Sequence, residues 1–455
     1  MSLLLLVFLP LVVAGPVYFL RRYWALAVVV TLATTLALLA ICVKYSPAEP
    51  AYLLGRELVL GHWQRLLFAF FYVLASLMVL YSWRQPQGWA FLPSLLAILG
   101  LVSAAMMIET FLIAVLLLEM AGLALLFSVY GRGPAPAESA LGYLVALVVA
   151  VPCLLLVAWL VESYALRPED LLLVRFTVIA VSVGFGILLA AAPFHWWLPA
   201  VAGDAPPMAA ALMICVLGPA SLSLLLGVLR DNLWLVTESP ILWVISLAGL
   251  LTALLGGVLA FAQREPGRLL GYAAISDLGC VLVGLGAGSA LGTTAALAHL
   301  VNRSLAVLLL AMSLGSLLSY VRRRGSHSST LRQALARAPG GVLGYVAGGL
   351  AIGGFPLFNG FATRWLVFRS LAQENALFRG VLVLAGVGVV LGCLRSLSFV
   401  LRTSPGTDRG REPLPVTTLI MLLVVLCLVL GLFPGLLVDL VQSVVPSLTP
   451  VAAGV

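Results

Sequence analysis

The chain has 455 residues, 63% hydrophobic and 9% charged, with a mean hydropathy of +1.16. Soluble domains carry roughly 25% charged residues, so a soluble enzyme, a disordered chain and a nucleic-acid binder are excluded despite the net charge of +8. Apolar runs of about 20 residues fit helices that cross a ~30 Å hydrocarbon core, so an all-α polytopic membrane protein is expected.

Breaking the chain at charges, prolines and glycines gives about fourteen spans. The first seven fall near 2–20, 23–43, 66–83, 89–106, 110–130, 139–161 and 171–193. The others fall near 208–229, 240–262, 268–287, 292–319, 340–372, 377–401 and 415–437. The first lacks a basic leader and a small-residue cleavage end, so it reads as a retained helix. The longest connection, between the second and third spans, holds no phosphate loop or dinucleotide fingerprint. The fifth span carries Glu119 in LLLEMAGLALLF, and the seventh ends in a break at Pro193, followed by His195. The tenth carries Asp277 in GYAAISDLGCVL; the eleventh carries His299, Asn302 and Arg303 in AHLVNRSLAV. His299 and Arg303 are four apart and share a helical face.

The twelfth span is too long for one straight crossing and contains Gly-Gly-Phe-Pro at 353–356, so a broken helix is expected, with Arg364 just beyond it. Broken helices five spans apart mark an internally repeated transporter. One transmembrane domain over 1–455 is expected, with inverted five-helix repeats near 89–229 and 240–401.

Loops after odd-numbered spans hold Arg21, Arg22, Arg84, Arg132, Arg264, Arg268, Arg322, Arg323, Arg324, Arg332, Arg337, Arg402, Arg409 and Arg411. Loops after even-numbered spans hold Lys44, Arg56, Arg65, Arg167, Arg230 and Arg379. The arginine-rich side is expected to be cytoplasmic, which places both termini on the other face. A short amphipathic helix is expected on the cytoplasmic surface between Arg322 and Pro339.

Ionisable residues within the hydrocarbon region cost roughly 3 kcal/mol each on insertion scales, so they are functional candidates. Arg175, Arg369 and Arg395 fit a snorkelling role near span ends, and His195 also fits an interfacial one. Glu119 and Asp277 sit mid-span, where a carboxylate must pair with a cation or hold a proton. Arg303 and Arg364 are both available partners, and a charged axis near the midplane is expected. Lys44 is the single lysine among 25 basic residues, so exchangeable amines are missing from the spans. The six cysteines lie singly in apolar stretches, which suggests no metal or disulfide framework.

The stretch PFHWWLPAVAGDAPPMAAAL at 193–212 resembles a signature of the antiporter-like membrane subunits of respiratory complex I. RLLGYAAISDLGCVLVGL, GGFPLFNGFATRWLVF, the Glu119 segment and GLFPGLL at 431–437 resemble further segments of that family, over roughly residues 65–437. The fold is shared with Mrp-type cation/proton antiporters, membrane-bound hydrogenases and some inorganic-carbon uptake systems. The resemblance implies a proton path with a glutamate in the fifth helix, which Glu119 matches. It places the family's seventh-helix lysine at Leu188, the eighth-helix lysine near Gly218 and the twelfth-helix lysine or glutamate at Arg364. The family's histidine in the tenth span falls at Asp277, and that of the eleventh at Arg303.

Three readings follow. The first is an antiporter-like membrane-arm subunit of a complex I-type NADH:quinone oxidoreductase or related redox-driven proton pump, with its own proton conduction weakened or absent because the buried lysines are missing. The second is an ion (proton or sodium) transporter subunit of an Mrp-type antiporter, membrane-bound hydrogenase or carbon-uptake complex. The third is a structural subunit that docks a soluble catalytic partner. The expected site residues are Glu119, Asp277, Arg303, Arg364, His299 and His195. No cofactor or metal is expected in this chain. Expected partners are other membrane-arm subunits, lipids and a soluble redox arm reached through neighbours, in a bacterial inner membrane. The small residues of GGLAIGG at 348–354 fit close helix packing against such neighbours.

Overall fold

The computed structural model describes residues 2–44, 51–53, 55–130, 137–168, 170–322, 331–371, 376–402 and 411–444. Arg132, Arg323, Arg324 and Arg409 of the orientation count lie outside the described residues. Two compact units make up the chain: described residues up to Leu189 with Val216–Val244, and Ala190–Cys215 with Ile245–Ser443.

The chain opens in the first unit with α1 (Ser2–Phe19), α2 (Trp24–Lys44), α3 (His62–Arg84), α4 (Phe91–Met107), α5 (Phe111–Tyr130), α6 (Ala137–Leu166) and α7 (Leu171–Leu188). It continues with α8 (Trp197–Asp204) and α9 (Pro207–Leu212) in the second unit, then a π-helical turn Met213–Leu217. After α10 (Gly218–Asp231) and α11 (Leu233–Thr237) in the first unit comes α12 (Ile241–Ala262). The second unit is completed by α13 (Pro266–Gly286), α14 (Ala290–Arg322), α15 (Leu331–Arg337), α16 (Pro339–Gly353), α17 (Asn359–Ser370), α18 (Ala376–Arg402), α19 (Leu414–Leu432) and α20 (Gly435–Gln442).

Every expected span contains a helix. Among the described residues twelve helices are long and apolar enough to cross a membrane, or thirteen if the bent pair α15–α16 counts as one span. The fourth expected span, α4, is apolar but only 17 residues long. The twelfth divides into α16 and α17. The expected amphipathic helix between Arg322 and Pro339 is α15 in its described part. An antiparallel hairpin, β1 (Ala51–Leu53) and β2 (Arg56–Leu58), which the sequence did not suggest, lies between α2 and α3.

In the second unit α14 is the central helix. Its most apolar window is entirely buried, as expected of a helix without a polar face. The hydroxyls of Thr294, Ser304 and Ser313 bond back to carbonyls four residues earlier at 2.7–2.9 Å, so they enter the core without stranded donors. Helices α13, α16 and α17 pack against it. Glycine allows α13 to approach α8: a Cβ on Gly271 would lie 2.6 Å from the Cα of Pro199. Near α15, Glu412 accepts hydrogen bonds from the Gly340 N–H and the Thr417 hydroxyl, both at 2.8 Å, which caps the start of α16.

The break after α16 has a clear local cause. Gly354 takes φ +73°, a left-handed conformation that a side chain disfavours. The N–H groups of Gly354 and Phe355 turn back to the carbonyls of Ala351 and Leu350 at 3.2 and 2.9 Å. That is a Schellman ending, and it leaves the carbonyls of Ile352 and Gly353 at an open, partly negative helix end.

Candidate functional site

Asp277 lies in the middle of α13 and is 1% exposed; His299 on α14 is 0% exposed. Arg303 on α14 and Arg364 on α17 are each 4% exposed, so all four groups are out of reach of solvent. The second unit brings them together, because α14 is flanked by α13 and by the second half of the broken helix.

Arg364 makes three contacts that fix it. Its Nη2 donates to Asp277 Oδ1 at 2.7 Å and to the Ile352 carbonyl at 2.7 Å. Its Nη1 donates to the Gly353 carbonyl at 3.0 Å. A planar cation thus spans a carboxylate and the open end of α16, an arrangement that suits a guanidinium better than an ammonium.

The same Oδ1 of Asp277 meets His299 Nε2 at 3.1 Å. The other ring nitrogen, Nδ1, lies 2.8 Å from the hydroxyl oxygen of Thr363 on α17. Neither Thr363 nor Asn359 was singled out by the sequence, because uncharged polar residues do not stand out in an apolar run. Asn302 and Asn359 tie α14 to α17 reciprocally, each Nδ2 donating to the other's backbone carbonyl at 3.0 Å.

Arg303 stands differently. Among the described residues no carboxylate lies within ion-pair distance of it. Its Nη2 donates to the Ala274 carbonyl at 3.1 Å and its Nη1 to the Ile214 carbonyl at 3.3 Å. Ile214 sits in the π-helical turn, where widening of the helix leaves carbonyls free for such contacts. With His299 neutral, one carboxylate faces two guanidiniums.

Glu119 is placed in the first unit, on α5. It is half-buried, and among the described residues it forms no ion pair. Its helical neighbours Leu116, Met120 and Leu123 are 37–55% exposed, so it lies at the edge of an open face. His195 is half-buried in the turn after Pro193 and makes no ion pair with Asp277. The arrangement therefore contains two immobile cations and one group, His299, that can exchange a proton while keeping its partners. No group of three or more metal-ligating side chains occurs among the described residues.

Residues 101–392, more than half of the chain, match the family described as NADH:quinone oxidoreductase/Mrp antiporter, TM. The chain belongs to this family. Among relatives, formate hydrogenlyase subunit 3 of Escherichia coli is 31% identical over 252 residues, 51% of this chain and 40% of that protein. NADH-quinone oxidoreductase subunit N of Rhizorhabdus wittichii is 30% identical over 236 residues, 50% of this chain and 46% of that protein. The chain thus spans less than half the length of either relative. In fold it is similar to a chain of the Mrp complex from Dietzia, with a TM-score of 0.83, 17% identity and coverage of 98% of this chain and 97% of that one. The cluster around Asp277 falls inside the residues that match the family.

Proposed function

We propose that this chain is an antiporter-like membrane subunit of a complex I-type NADH:quinone oxidoreductase or related redox-driven proton pump, and that it moves protons through the second unit by way of Asp277 and His299. The observation that carries this reading is the buried set of Asp277, His299 and Arg364 at the break between α16 and α17. A desolvated carboxylate and imidazole beside a broken helix suit proton handling better than lateral packing. Because Arg364 occupies the position of a family lysine or glutamate, conduction is weaker than where an exchangeable group stands there. The names of the relatives, which include a formate hydrogenlyase subunit and an NADH-quinone oxidoreductase subunit, support a redox-driven parent complex.

Neighbouring membrane subunits are part of the proposal. The half-buried, unpaired Glu119 beside an exposed apolar face supports a lateral contact there. The loop arginines support a cytoplasmic odd-loop face in a bacterial inner membrane. The breaks after α7 and after α16 support inverted repeats near 89–229 and 240–401. A second reading, a subunit of an Mrp-type ion antiporter, is favoured by the likeness to the Dietzia Mrp chain.

The test is purification in mild detergent with identification of co-purifying chains, followed by proton-flux assays in liposomes. Co-purification with membrane and redox subunits, and loss of flux in Asp277→Asn, are expected. Isolation as a lone chain with full transport, or unchanged flux in Asp277→Asn, would overturn the reading.

A further inference from the structure

The hydrogen bonds of His299 to Asp277 and Thr363 can be followed through a change of its charge. With the imidazole neutral, Nε2–H donates to Asp277 Oδ1 at 3.1 Å and the Thr363 hydroxyl donates to Nδ1 at 2.8 Å. With the imidazole charged, Nδ1 carries a proton and must donate instead. Thr363 Oγ1 can accept it only if its own hydrogen turns away, and a second acceptor is in place: the carbonyl of Asn359 lies 3.3 Å from Oγ1. That carbonyl is not stranded when the hydroxyl turns back, because Asn302 Nδ2 donates to it at 3.0 Å in either state. Thr363 is 0% exposed, so no bulk water replaces these contacts.

We infer that Thr363 is a positioning residue for proton exchange, a hydroxyl rotor that lets His299 be neutral or charged without leaving either ring nitrogen or the Thr363 hydroxyl unpaired. The inference rests on the proposed role of His299. Gain of one proton at Nδ1 turns the Thr363 hydroxyl hydrogen from Nδ1 to the Asn359 carbonyl, and loss of that proton turns it back. The hydroxyl hydrogen stays on Oγ1 throughout, and the motion is a rotation about one C–O bond. Asp277 and Cys280 face His299 from α13, Arg364 faces it from α17 and Arg303 shares its helix. Tyr345 of α16 is engaged with Ser396 instead. Neither arginine gives up its proton at physiological pH, so the rotor is the element of the cluster that follows the charge of the ring.

A side chain without a donor, such as valine, removes the rotor while keeping the shape. Proton flux in liposomes holding the full chain with its co-purifying subunits is expected to fall about tenfold or more in Thr363→Val and to stay within about twofold of the parent in Thr363→Ser. A packing role would make serine, which loses a methyl group, the worse of the two. Independently of any threonine variant, 15N spectra of histidine-labelled protein resolve the neutral tautomer of His299, its signal being assigned among four histidines by its loss in His299→Gln. The Nε2–H tautomer is expected; an Nδ1–H tautomer would overturn the inference. Parental flux in Thr363→Val while His299→Gln is inactive would overturn the rotor alone. Parental flux in both variants would overturn the role of His299 with it.

Discussion

Arg364 and Asp277, 87 residues apart in sequence, meet at 2.7 Å in the interior of the second unit. The same guanidinium also closes the end of α16 through the carbonyls of Ile352 and Gly353. The pair is therefore both an ion pair and a cap on the end of α16.

Removal of the carboxylate leaves the Arg364 guanidinium without its ion-pair partner. Asp277→Asn is expected to destabilise the fold by about 3–5 kcal/mol, the scale for breaking a buried pair from one side. Asp277→Asn combined with Arg364→Met is expected to recover a large part of that loss, since the stranded charge is gone. Denaturant or thermal melting of the detergent-solubilised protein compares the two.

Glu119 provides the contrast. With no ion pair to lose among the described residues, Glu119→Gln is expected to change stability by less than about 0.5 kcal/mol, the range of substitutions away from paired groups. The same melting measurement checks it. A loss as large as that of Asp277→Asn would show a partner that the fold does not display.

Arg364→Lys restores an exchangeable amine at the break. Lysine cannot span Asp277 and two carbonyls with a planar fork, so a stability loss of about 1–3 kcal/mol is expected from the unpaired carbonyls. Proton flux is expected to rise despite that loss. Flux assays at matched protein amounts test the direction.

At Gly354 the backbone conformation and the guanidinium constrain the same position. A Cβ there would lie 2.7 Å from Cδ of Arg364, in a residue with φ +73°. Gly354→Ala is expected to cost about 1–2 kcal/mol in left-handed strain, with a further loss from displacing Arg364. Melting of Gly354→Ala alone and with Arg364→Met separates the two contributions.

Much of the second unit was legible from charge alone. Asp277, His299, Arg303 and Arg364 stood out because ionised groups are costly in apolar helices, and Gly-Gly-Phe-Pro marked the break. Which arginine pairs with Asp277 was not legible, because both lie one or two spans away and the choice is made by helix packing. Thr363 and Asn359 complete the cluster with neutral groups whose weak cost gives no comparable signal. The half-exposed position of Glu119 was hidden for another reason: α5 is apolar on all sides, so its sequence does not say which face is covered.

The central claim is that protons pass through the second unit by way of His299. Proton uptake by liposomes containing the intact assembly, under an imposed pH gradient, tests it most directly when the parent chain is compared with His299→Gln. The expected result is a loss of uptake with an unchanged complement of co-purifying subunits. Uptake equal to that of the parent would contradict the claim.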